Sequence, residues 1–267
     1  MKSNGTLIAA HRGASGGNIP CNTLAAYEIA LRQGADIVEI DVAISAEGSH
    51  YVFHPGMEPA HLRSDRYICD MTDSEVRAQR FVNQDGTPTA HGIATLDDVL
   101  DMLKGRCLIN VDKFWSDVKG ISRVIRAHGM ADQVIVKTSP TRECFDTIAA
   151  CASDMPYMPI IRGGDPCGEM LLKERAIRYI GSEVLFEHDD EQLASPEYID
   201  WAHANGLKIW VNSILYDYRV ELAGGHSDDA SLTGDPDAGW GWLLDRGFDI
   251  IQTDWPGMLR QYMDARG

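Results

Sequence analysis

The sequence predicts an α/β chain wound as a (β/α)8 barrel. Strand-like runs rich in Val and Ile recur eight times, each is followed by a helix-like segment, and 267 residues suit eight such units. A doubly wound sheet is the structural rival, but it usually has fewer strands and often a Gly-rich dinucleotide turn. No G-x-G-x-x-G follows any strand here.

The first strand is expected at Thr6–Ala10. A loop holding Gly13, Gly16 and Gly17 leads from it to a helix over Thr23–Arg32 capped by Asn22, and the glycines read as letting backbone approach a ligand. Ile37–Ala43 is the second strand, and "AISAEGSHYVFHPG" folds back on it as a hairpin around Ala46 to Ser49. A polar insertion, about residues 55–93, then interrupts the alternation. Helix Leu96–Lys104 precedes strand Cys107–Asp112, and amphipathic stretches Ser116–His128 and Thr141–Ala152 flank strand Gln133–Thr138. Strands Tyr157–Ile161, Glu183–Glu187, Lys208–Ser213 and Asp249–Thr253 complete the set, with Ser195 capping a helix over Pro196–Asn205. Residues 216–239, rich in Gly and Asp, read by composition as a solvated loop. Like the insertion, that segment follows the carboxyl end of a strand, where barrel enzymes place active-site loops. One domain over residues 1–267 is the expectation.

The formal charge of −16 repels polyanions and argues against nucleic-acid binding, so an anionic ligand needs local cations. No apolar run approaches the ~20 residues of a bilayer span, which argues against integral membrane association. The first residues lack the apolar stretch and small-residue cleavage site of a secretory leader, and the expectation is a cytoplasmic protein. The six cysteines are scattered without C-x-x-C, which indicates neither zinc nor a disulfide framework. Nothing in the sequence gives the oligomeric state.

The chemistry concentrates at strand ends. In "VEIDV", Glu39 and Asp41 are two apart, so both side chains leave one face and can converge on one ion. A carboxylate pair inside an apolar run is costly to bury unless a cation compensates it; an ordinary half-exposed strand is the competing reading. With the hairpin centred as above, His54 falls opposite Asp41, where an imidazole could transfer protons; a one-residue slip would turn it away. His11 and Arg12 end the neighbouring strand, the first as a second proton-transfer group and the second as a donor fork for phosphate oxygens. Asp112 supplies a third oxygen ligand, and an all-oxygen set suits Mg²⁺ or Ca²⁺. Lys113 nominally points the other way unless the strand ends there, and Lys137 closes the fourth strand as a further cation. Gly13-Ala14-Ser15-Gly16-Gly17 matches the G-x-S-x-G of a serine hydrolase elbow, but only one strand precedes it and the next helix is delayed.

With these residues in place, the chain resembles the glycerophosphodiester phosphodiesterase family of phospholipase-C-like barrels. The matching pieces are "HRGASG" with "NTLAAY", "GADIVEIDV" followed by "VFH", "TLDDVL", "INVDK" and "GFDIIQTDWP", in family order. The resemblance implies a divalent metal on Glu39, Asp41 and Asp112, phosphate contacts from Arg12 with a lysine nearby, and acid/base work by His11 and His54 on a small phosphodiester. It also implies an adjacent substrate hydroxyl as the attacking group, giving a cyclic phosphate. Departures from the family pattern are Asp112 for a more usual Glu, Pro20-Cys21-Asn22 for Pro-Glu-Asn, and His54-Pro55 for His-Asp. A sphingomyelinase-D-like phospholipase and a catalytically silent barrel that binds a phosphorylated ligand are the rival readings.

Overall fold

The computed structural model describes residues 5–216, 219–220 and 222–267. Nine strands run in chain order: β1 Leu7–Ala10, β2 Ile37–Ile44, β3 His50–Val52, β4 Leu108–Asp112, β5 Val134–Thr138, β6 Tyr157–Arg162, β7 Gly181–Leu185, β8 Lys208–Asn212 and β9 Ile250–Thr253. The sheet order is β1-β9-β8-β7-β6-β5-β4-β2-β3, and a further β1–β2 pairing closes it. All pairings are parallel except the β2–β3 hairpin, so the closed body is an eight-stranded parallel barrel with helices between its strands. The sixth expected strand, Glu183–Glu187, sits two residues earlier, at Gly181–Leu185.

Alternation along the strands divides two environments. Val38, Ile40, Val42, Val111, Val136 and Val184 face the surrounding helices in one large cluster. Ala9, Ile37, Ile135, Met158, Trp210 and Ile250 fill the base of the barrel interior. Above that plug the inward positions turn polar: Glu39, Asp41, Asn110, Lys137, Glu183, Asn212 and Gln252 are all buried. Polarity at the carboxyl ends of barrel strands costs stability and marks the face where function is built.

Local chemistry sets the helices. Thr23, not Asn22, caps the first one, accepting from the Ala26 amide, because Asn22 is turned toward the barrel with φ of 54°. Thr95 and Asp98 form a reciprocal capping box, and Ser195 before Pro196 caps as expected. Gly13 is needed for packing rather than ligand approach: at φ +80° a Cβ there would lie 2.8 Å from the Ala26 carbonyl carbon. Ser15 is exposed and the next helix begins only at Leu24, so the elbow geometry of a serine hydrolase is not formed.

The insertion folds on itself. Short helices at Glu58–His61 and Asp73–Ala78 gather Leu62, Ile68, Met71, Val76 and Phe81 over Ala43, Tyr51 and Phe53 of the hairpin, making a second hydrophobic cluster. The Gly/Asp-rich segment is also more than a solvated loop: Asp228–Thr233 is helical and Asp228 is 3% exposed. Its carboxylate accepts from Ser213 Oγ, Thr253 Oγ1 and Trp240 Nε1 and from the Asp254 amide, a set of partners from three separate parts of the chain.

Candidate active site

Glu39, Asp41 and Asp112 meet at the carboxyl ends of β2 and β4, with one oxygen from each within 4.8 Å of the others. The period of two puts Glu39 and Asp41 on the inner face, and the register Asp41↔Asp112 brings the third acid beside them. Glu39 and Asp41 are buried, and Asp41 Oδ1 has no hydrogen-bond partner. Burial first, then the charges of Asp41 and Asp112, push the Glu39 carboxyl well above its usual range. Three crowded acids with an orphaned oxygen fit a hard dication, whose charge would relieve both the repulsion and the missing partner.

Cations ring the acids. Arg12 donates its amide to Glu39 Oε2 at 2.7 Å, and its Nε lies 3.0 Å from Asp41 Oδ2. Burial opposes the Arg12 charge, but Asp41 and Glu39 outweigh it and hold the guanidinium protonated. Strand β4 ends at Asp112 and Lys113 takes the left-handed conformation, φ 58°, which swings Nζ back to Asp112 Oδ2 at 2.7 Å and to 3.9 Å from Asp41 Oδ1. Burial alone would raise the Asp112 pKa; Lys113, with help from Lys137, brings it below the usual range instead. Asn22 donates Nδ2 to Asp41 Oδ2 at 2.9 Å, and its Oδ1 accepts from Tyr27. Arg12, Asn22 and Lys113 are three of the four non-glycine residues with positive φ among those described. Backbone strain of about 1–3 kcal/mol per residue is therefore concentrated around the acid cluster, as it commonly is where geometry serves chemistry.

Two imidazoles stand at the same mouth. His54 Nε2 lies 4.0 Å from Asp41 Oδ1, but not by the expected pairing. The observed register pairs Val42 with Val52 and Ala43 with Tyr51, one residue off the expected one. In that ladder Asp41 faces Phe53, whose amide donates to the Asp41 carbonyl. His54 reaches the acids because the strand has ended and the chain turns at Pro55. Burial, opposed by Asp41 and joined by Arg12 and Lys113, lowers the His54 pKa. His11 Nδ1 pairs with Asp254 Oδ1 at 2.8 Å, and Tyr216 stands edge-on to the His11 ring, 6.1 Å between centroids.

Lys137 is not at the mouth. It lies inside the barrel, 1% exposed, with Nζ 2.6 Å from Glu183 Oε2 and 3.2 Å above the Trp210 ring. The further cation expected there for phosphate is instead held in a buried ion pair, because Lys137 is level with the inward-facing Met158 and turns into the barrel. Sequence reasoning missed the roles of Asn22, Asp254, Asp228 and Tyr216. Only "QTDWP" offered a signal for Asp254, as part of the family resemblance.

Comparisons with known proteins agree with the fold. A family model described as a domain of unknown function, DUF4996, matches residues 157–263. A glycerophosphodiester phosphodiesterase of Caldanaerobacter subterraneus is 31% identical over 109 residues, 40% of this chain and 44% of that protein. A glycerophosphoryl diester phosphodiesterase structure from Parabacteroides distasonis superposes with a TM-score of 0.76 at 17% identity, covering 98% of this chain and 87% of the other. An Oleispira antarctica phosphodiesterase solved in complex with the product sn-glycerol-3-phosphate superposes with a TM-score of 0.71 at 18% identity, covering 97% and 96%. The chain is similar to the glycerophosphodiester phosphodiesterases in stretches of its sequence and shares their barrel.

Proposed function

We propose that this protein is a metal-dependent phosphoric diester hydrolase acting on small glycerophosphodiesters, releasing glycerol phosphate and an alcohol. The observation that carries the reading is the convergence of Glu39, Asp41 and Asp112 with Arg12 and Lys113 at one strand-end mouth. Relatives and neighbours named as glycerophosphodiester phosphodiesterases support the substrate class.

Glu39, Asp41 and the Asp112 oxygen not held by Lys113 would hold Mg²⁺ or Ca²⁺. A dication there supplies Lewis-acid neutralisation of phosphate oxygens. Arg12 presents its guanidinium to the same oxygens, and Lys113, already turned toward the cluster, adds a second positive charge as charge develops in the transition state. His54, with its pKa lowered, is neutral at neutral pH and suited to take a proton from the attacking group. His11 donates Nδ1–H to Asp254, which leaves Nε2 to pass a proton to the departing alcohol once charged.

The test is alcohol release from a panel of glycerophosphodiesters with Mg²⁺, Ca²⁺ or EDTA. Turnover that needs a dication and disappears in Asp41→Asn supports the reading. Wild-type protein that binds these diesters with a dication and leaves them intact would establish a silent binder instead.

A further inference from the structure

The inner wall facing the acid cluster is polar without any part in the steps above. In the closed sheet β7 is four strands from β2 in either direction, so Glu183 stands across the barrel from Glu39 and Asp41. Glu183 Oε2 accepts from Lys137 Nζ at 2.6 Å, and Oε1 accepts from Asn212 Nδ2 at 2.6 Å. Asn212 Oδ1 in turn accepts from Trp210 Nε1 at 3.3 Å. Lys137 and Asn212 are sealed, whereas the Glu183 side chain keeps 11% of its surface.

A buried ion pair is a poor device for stability, since well-packed apolar groups usually do as well or better. The base of this same interior is filled with Ile, Met and Trp, so the fold has that option one layer below. Each Glu183 oxygen has one donor and can accept another. Lys137 cancels the charge, so the wall does not repel a phosphodiester and does not call for a cation. An accepting surface that is neutral as a whole, opposite a phosphate seat, suits alcohol hydroxyls.

Resting on the phosphodiesterase reading, we propose that Glu183, backed by Lys137 and Asn212, is the specificity-determining residue that receives the hydroxyl groups of the substrate's alcohol half, with Tyr216 closing over them. Tyr216 lies exposed in the loop that follows the carboxyl end of β8. Its edge contact with His11 sets it beside the proton-transfer group.

The experiment compares glycerophosphoglycerol, rich in hydroxyls, with bis(p-nitrophenyl) phosphate, which has none. In Glu183→Gln, kcat/KM for the first should fall about 10- to 100-fold, mostly through KM, with the second changed less than about twofold. Tyr216→Phe, at an exposed position that leaves folding intact, should show a smaller loss with the same selectivity. Glu183→Asp, which keeps a carboxylate against Lys137 but withdraws its oxygens from the interior, should repeat the single variant's pattern if that variant folds poorly. Equal losses on both diesters, or none on the polyol diester, overturn the proposal while leaving the phosphodiesterase reading intact. A wild type that turns over neither diester overturns both.

Discussion

His11 and Asp254 are 243 residues apart in sequence, yet their contact fixes which imidazole nitrogen is available. A carboxylate on Nδ1 selects the tautomer and stabilises the ring when it is charged. His11→Ala and His54→Ala should each cost about 10²–10⁴ in turnover without changing the melting temperature, because general acid/base help is of that size. Asp254→Ala should cost less, about 10- to 100-fold, the usual worth of a group that orients an imidazole at a reactive centre. Wild-type kcat in Asp254→Ala would remove the orienting role. Glu39 and Asp41 were legible from spacing alone, since a period of two fixes a shared face whatever surrounds it. His54 was placed beside Asp41 through a register that is one residue wrong, and only the end of the strand at Val52 brings it there. Lys137 was misread because a position at the end of a strand does not say whether a lysine reaches the rim or folds inward to a partner on a strand 46 residues away.

At the level of elements, the insertion and the hairpin make one unit whose separate core decides whether His54 is held in place. Phe81 is fully buried in that core, 5.7 Å centroid to centroid from Phe53, the residue before His54. Phe81→Ala should destabilise the unit by about 3–5 kcal/mol, and show as faster proteolysis within residues 55–93 together with lost turnover. The same unit carries a pH dependence through His61, whose ring packs on Phe53 and Phe81 and whose Nδ1 is 3.9 Å from Cys21 Sγ. Burial, and then the charges of Arg12 and His54, lower its pKa below 6.5. A base with a lowered folded pKa contributes stability that is present above its unfolded value and lost as pH falls through the folded one. Cleavage of the insertion should therefore quicken as pH falls below about 6.5, and His61→Gln should flatten that limb. A His61→Gln profile identical to wild type would assign the limb to another group. The insertion was legible as an interruption of the β/α alternation, because helix and strand periods fail there. Its internal core was not, because short helices of four and six residues carry too few apolar positions to show a period. The burial of Asp228 was hidden for a different reason: its partners come from β9, the loop after β8 and the segment before Phe248, and no local pattern announces such a convergence.

The whole barrel weighs an apolar base against a charged top, and the sign of that balance can be measured. Without a dication, Glu39, Asp41 and Asp112 repel one another in a buried space, and Glu39 binds a proton more tightly than an ordinary glutamate would. Replacing Glu39 by Gln removes one of the repelling charges at nearly constant shape, so the metal-free protein should melt higher than wild type. With a dication the order should reverse. A ligand at 100 times its Kd stabilises the state it binds by about 2.7 kcal/mol, which for a chain of this size corresponds to a rise of roughly 5–10 °C. Wild type should gain that rise with Mg²⁺ or Ca²⁺ and Glu39→Gln little of it, so the two melting curves cross between EDTA and metal. The crossing is what separates a functional acid cluster from three acids that merely share a strand end, because stability is being given up in one state for binding in the other. If Glu39→Gln melts below wild type in EDTA, the cluster is already compensated by Arg12, Lys113 and Asn22, and the argument for an ion at that mouth loses its physical basis.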